Sequence, residues 1–235
     1  MKRNLMTPAL AVLVLAGLGV TATANAQGTS KVNTKKMSFF ITSVGMGKGA
    51  DLGGLAGADA YCGKLAKAAG STKTTWKAYL STSMMIDRTG GTLKITPGIN
   101  ARDRIGRGPW HNALGVRIAK NLTDLHGSGN KISKKTGLDE KGMPVKGRGE
   151  KPNQHDILTG SDPQGRYSTA GGDTTCGNWT KSGAGSAIVG HHDRAGLDKS
   201  WSMLSWNSSH GSRGCGEADL PKSGGAGLFY CFATK

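Results

Sequence analysis

The sequence predicts an α+β domain rich in loops, and three observations carry that prediction. Regular elements are few and change type along the chain: an apolar run, an amphipathic helix, a short strand, a long irregular span, then several short strands. Glycine takes 38 of the 235 positions without a period of three, which favours turns over extended regular structure. Four cysteines, an even number, follow what reads as an export signal, and two disulfides are the first expectation for such a chain.

The leader comes first. Lys2 and Arg3 precede an apolar run from Ala9 to Val20, and Ala24-Asn25-Ala26 closes it. A charged start, an apolar stretch of this length and a small-x-small end predict a signal peptide over residues 1–26, cleaved after Ala26, and a secreted or periplasmic product. No cysteine directly follows the run, which argues against a lipid anchor. No later stretch approaches the ~20 apolar residues of a membrane span. The 209 residues after the leader fit one domain, over 37–235, with a polar, aperiodic and mobile lead-in at 27–36.

Each element then has its own signal. "MSFFITSV" (37–44) is β-branched and aromatic, a buried strand. Residues 45–54 are a glycine-rich loop. Residues 55–69 place Leu55, Ala58, Cys62, Leu65 and Ala69 at helical spacing, with Gly70 as a stop, so Cys62 faces inward. "TWKAYLSTS" (75–83) reads as a second strand, or a short helix leading into one. From 84 to 175 loops dominate, with "VRIAKNL" (116–122) the one convincing strand, expected to pair near 143–146. So long an irregular span is uncommon unless it is functional or disulfide-framed. "CGNWTK" (176–181), "SWSMLSWNSS" (200–209) and "GLFYCFA" (227–233) supply closing strands, and the first and last strands are expected to pair. Three cysteine pairings are possible, and no spacing resembles a thiolate zinc site.

The chain carries 31 Lys and Arg against 15 Asp and Glu, a formal charge of +16; loss of the leader removes two positives and leaves +14. Such an excess favours polyanionic surfaces. The basic residues (Lys134, Lys135, Lys141, Lys146, Arg148, Lys151) are scattered among glycines, not arrayed on a helix. No nucleic-acid module or stacking aromatics accompany them, which ranks nucleic acid last among partners.

"TWKAYLST", "GSDPQGR" (160–166), "TTCGNWT" (174–180) and "GLFYCFA" together resemble the endostatin-like branch of the C-type-lectin-like fold. "LGGLAGADAYC" (52–62) is similar to a helix of bacterial exported proteins of "lectin" type. The resemblance runs from about Phe39 to Ala233. It implies a C-type-lectin-like domain with two nested disulfides, Cys62–Cys231 outside and Cys176–Cys215 inside. It also implies carbohydrate binding, although calcium-dependent members use an acidic Pro-Asn loop and a Trp-Asn-Asp strand. Here "KPN" (151–153) and "WNS" (206–208) stand in their place. Lysine and serine replace two carboxylates, and calcium needs six to eight oxygen ligands. The usual calcium site is therefore not expected.

Two candidate sites follow. In "VGHHDRAG" (189–196), an extended backbone puts His191 and Asp193 on one side and His192 on the other. These three cannot share one ion. Zinc takes about four nitrogen and oxygen ligands, so a metal site would join His191 and Asp193 to His155 and Asp156, with His210 a further donor; otherwise these are hydrogen-bonding loop residues. The second candidate is a ligand surface of Trp206, Asn207, His210 and Arg213 with Asn153, an aromatic plate beside amide and guanidinium donors that suits a sugar; the alternative, favoured for Trp206, is a core tryptophan with Asn207 bracing a loop. No catalytic residue is expected: "SGAGSAIVG" is not a nucleophile elbow, and no phosphate loop is present. The leading expectation is an exported carbohydrate-binding module for anionic glycans, needing no cofactor, with zinc or calcium as an option. The alternatives are a metal-assisted hydrolase centred on His191, Asp193 and His155, and a structural cell-envelope protein.

Overall fold

The last strand organises the domain. The computed structural model describes residues 31–170 and 172–234, and the expected leader lies outside them. Strand β10 (Gly225–Ala233) contains the "GLFYCFA" run and is buried along nearly its whole length. A strand covered on both faces needs apolar residues in both registers, which is why the run does not alternate. Leu228, Tyr230 and Phe232 enter one apolar cluster, whereas Phe229, Cys231 and Ala233 enter the other. Cys231 pairs with Phe40 of β1 (Phe39–Ile41) on one side and Ala78 of β2 (Trp76–Ala78) on the other, both antiparallel. The first and last strands thus pair. The earlier half of β10 runs parallel to β7 (Asp156–Leu158), and the sheet continues through β8 (Ile188–His191) to β9 (His210–Gly211).

Helix α1 (Gly54–Ala68) covers one face, burying Ala58, Cys62 and Ala66. Disulfides join Cys62 to Cys231 and Cys176 to Cys215. Asp59 on the same helix takes two hydrogen bonds from Arg104, one from Lys77 Nζ and one from the Ala78 N–H, pinning α1 to β2. The other face is aromatic: Phe39, Tyr79, Trp206, Tyr230 and Phe232 pack with ring centroids 4.9–6.4 Å apart.

The long middle span departs from expectation. It holds a hairpin of β3 (Met85–Asp87) and β4 (Lys94–Thr96), a pair β5 (Trp110–His111) and β6 (Arg117–Ala119), and the short helices α2 (Ala101–Arg104) and α3 (Leu122–His126). The partner of β6 is β5, not 143–146, whose only pairing is an isolated bridge from Leu138 to Pro144. "CGNWTK" forms a left-handed turn over Cys176–Trp179 instead of a strand: Thr175 Oγ1 accepts from the Asn178 N–H, and Cys176, Gly177, Asn178 and Trp179 all have positive φ, at 48°, 63°, 56° and 68°. Residues 200–209 make turns, not a strand, because Trp206 drops into the aromatic cluster. The lead-in is anchored where it is described. The Asn33 N–H donates to Ala113 O and Thr72 N–H to Thr34 O. Among the described residues, no helix is long and apolar enough to cross a membrane.

Candidate metal centre

The sheet brings the candidate ligands together by register. Asp156 of β7 lies directly opposite His191 of β8, and Val189 of β8 lies opposite His210 of β9. His155 immediately precedes β7. Two glycines keep the space clear. Residues 205–207 cross tightly over β8, and a Cβ on Gly190 would lie 1.9 Å from Trp206 O. At Gly224, φ is +108°, and a Cβ would sit 2.6 Å from Asn153 Nδ2 and 3.0 Å from His155 Nε2. A side chain there would fill the volume beside the imidazole.

His155, Asp156 and His191 are all buried and offer mutually close ligand atoms. Asp156 Oδ1 is 3.1 Å from His155 Nε2 and 3.2 Å from His191 Nε2. A zinc ion holds nitrogen and oxygen ligands at about 2.0–2.2 Å, which spaces tetrahedral ligand atoms roughly 3.3 Å apart. Neither approach has hydrogen-bond geometry: both oxygens of Asp156 lack a hydrogen-bond partner although the side chain is wholly buried. The atoms converge on a shared point instead of bonding to one another. His210 stands at the open edge, its Nε2 3.0 Å from His191 Nε2 and 3.6 Å from Asp156 Oδ1, with its side chain 28% exposed.

The outer nitrogens explain the orientation. His191 Nδ1 lies 2.8 Å from Met203 O, His210 Nδ1 3.0 Å from Gly211 O, and His155 Nδ1 3.3 Å from Asp193 Oδ1. With the hydrogen of each neutral ring placed on Nδ1 toward these acceptors, the Nε2 lone pairs of His155 and His191 face the Asp156 carboxylate. At 3.1–3.2 Å these groups repel unless a proton or a cation lies between them, and His210 Nε2 stands within hydrogen-bond distance of His191 Nε2. Burial works against protonation of His191, but the Asp156 carboxylate and the Met203 carbonyl outweigh it and raise its pKa. A donor set of imidazoles and one carboxylate suits a zinc-class transition metal and not calcium, which seeks oxygen throughout.

Above the cluster opens a cleft of about 460 Å³. Its wall includes the three histidines, Arg148, Asn153, Leu197, Arg213 and Lys222. The loop 194–204 contributes Gly196, Leu197 and Met203 to this wall, leaves Leu197 (85%) exposed beside the cleft and Trp201 (70%) exposed elsewhere on the loop, and is anchored at both ends. Arg194 donates to Ile132 O and Leu204 O at one end, and Met203 O holds His191 at the other.

The structure regroups the sequence candidates. Asp193 is not among the mutually close ligands. It sits behind the His155 ring, where His155, the Arg148 N–H and the Ala195 N–H all donate to its carboxylate. Burial opposes ionisation there, but these donors prevail and hold it well below the usual carboxylate range. The alternation argument placed Asp193 beside His191, but β8 ends at His191 and the chain turns, so Asp193 approaches from the far side. His192 points away, as alternation required. It is buried, its Nε2 lies 3.1 Å from Lys146 O, and burial lowers its pKa to about 4. Trp206 and Asn207 also leave the ligand surface. Trp206 is in the aromatic core, and the buried Asn207 amide donates to Tyr79 Oη, Asp162 O and Pro163 O. The other three, Asn153, His210 and Arg213, line the cleft beside His155 and His191. Two separate candidate sites therefore become one. The exposed Trp201, next to a glycine-poor turn with no periodicity, gave no sequence signal. No protein-family model matches this chain, and no curated protein matches it.

Proposed function

We propose that this chain is an exported, metal-dependent binding module of C-type-lectin-like architecture. A zinc-class ion is held by His155, Asp156 and His191, and a carbohydrate ligand enters the cleft above it. One observation carries the metal reading: a wholly buried carboxylate with two unpartnered oxygens, flanked by two histidine Nε2 atoms whose rings are fixed by acceptors at Nδ1. Paired terminal strands and two nested disulfides support the lectin-like architecture. The convergence of Asn153, His210 and Arg213 on the same cleft supports a ligand site there.

The test is elemental analysis and zinc titration of the purified protein, followed by a glycan array with and without chelator. About one zinc per chain and array binding that chelator abolishes are expected; a protein that takes up no zinc overturns the reading. Metal-assisted hydrolysis is the second reading, and His210 favours it. This imidazole borders the three ligands yet stays partly open to the cleft, where a proton-transfer group belongs. Turnover of p-nitrophenyl esters by the zinc-loaded protein, lost in His210→Ala with zinc retained, would select it.

A further inference from the structure

We infer that the group seated in this cleft is an oxyanion (sulfate, phosphate or carboxylate) held between the metal and the guanidinium groups of Arg148 and Arg213. The inference rests on the metal centre proposed above and names what that centre recognises. The cleft wall contains three cationic side chains and three histidines, but no acidic residue. Of the cations, Lys222 is committed to Asp219 at 2.6 Å. The guanidiniums of Arg148 and Arg213 have no carboxylate or carbonyl partner among the described residues. Asn153 uses its carbonyl to accept the His155 N–H, and its NH2 has no acceptor among the described residues.

Neither Asp193 nor Asp156 counters this excess. Asp193 accepts from three donors behind the His155 ring. Asp156 is the single negative ligand of the centre, so a divalent ion bound there keeps a net positive charge. A neutral hydroxyl would leave both guanidiniums without charge compensation. An oxyanion accepts from them in the fork geometry that arginine favours and offers an oxygen to the ion. The volume, about 460 Å³, suits one charged group on a small ligand or a one- to two-unit portion of a chain.

Calorimetric titration of the zinc-loaded full chain tests this. The probes are inorganic sulfate, inorganic phosphate, a heparin-type sulfated oligosaccharide and its desulfated counterpart, each repeated on Arg148→Gln and Arg213→Gln. At least one anionic probe should bind, at least tenfold more weakly to each variant and to the zinc-free chain, with zinc content unchanged in the variants. The desulfated sugar should bind at least tenfold more weakly than the sulfated one. Preference for the oligosaccharide over inorganic sulfate assigns the oxyanion to a glycan, and preference for inorganic phosphate assigns it to a small free anion. If zinc binds but anion affinity is indifferent to both arginines, or the desulfated sugar binds equally well, the oxyanion assignment fails and the metal centre stands. If zinc does not bind, both fail.

Discussion

Replacing Asp156 with asparagine separates the metal reading from a merely structural one. The substitution keeps the shape of the side chain but removes the only negative ligand of the cluster. Asp156 is wholly buried and neither oxygen has a hydrogen bond, so the change breaks no hydrogen bond. A buried carboxylate without a full complement of donors is a cost to the fold, and the metal-free variant should be at least as stable as the metal-free parent. The metal-loaded forms should differ in the opposite sense. An ion present at 100 times its dissociation constant stabilises the folded state by about 2.7 kcal/mol. At ~2–4 °C per kcal/mol for a chain of this size, the parent's Tm should rise by roughly 5–11 °C on zinc addition. The Asp156→Asn variant should move by no more than about 1–2 °C. Differential scanning calorimetry in chelator and then in zinc reads both numbers. A variant that keeps the full zinc shift, or a parent that shows none, refutes the reasoning.

Three further outcomes follow from the same structure. Asp193→Asn should weaken zinc binding ~10–100-fold while the chain stays folded, because the carboxylate orients His155 and raises its basicity; competition with a chromogenic chelator measures it, and unchanged affinity would count against the convergent geometry. Cys62→Ser with Cys231→Ser opens a link spanning 169 positions, for which chain entropy gives about 5 kcal/mol and a Tm loss of roughly 10–20 °C. His126 accepts from Tyr79 Oη at 2.8 Å through Nε2 and donates from Nδ1 to Leu122 O, and burial above all lowers its pKa. The unfolded chain then takes up the proton first, so stability holds above pH ~6.5 and falls as pH drops below it. Urea unfolding between pH 7.5 and 5 should show a shallower fall in His126→Gln, by at most ~1.4 kcal/mol per pH unit.

How far the sequence could be read depended on segment length and on whether a residue's surroundings are local. Helix α1 was legible because fifteen residues show the helical period several times, and β10 because nine residues are apolar with turns at the start. Strands β7 and β8, which carry Asp156 and His191, have three and four residues. Buried on both faces, β7 has no alternation to detect. Sequence chemistry named His155, Asp156, His191 and Asp193 as one donor set; the structure brings the first three together and places Asp193 behind the His155 ring. Asp193 stands apart because alternation ends where the strand ends. Trp206 stayed open between ligand surface and core for a related reason. Whether an aromatic in a turn faces solvent or core depends on Tyr79 and Tyr230, residues far away in sequence.

The loop at the rim of the cleft also gives the protein an optical property of its own. Four of its five tryptophans are buried, Trp76, Trp110, Trp179 and Trp206, at 4% exposure or less, and Trp201 alone stands in water at 70%. Iodide in solution therefore quenches the emission of a single, known indole. That indole sits two residues before the carbonyl that fixes the His191 ring. The unlabelled chain therefore carries a built-in probe of solvent access to the 194–204 loop.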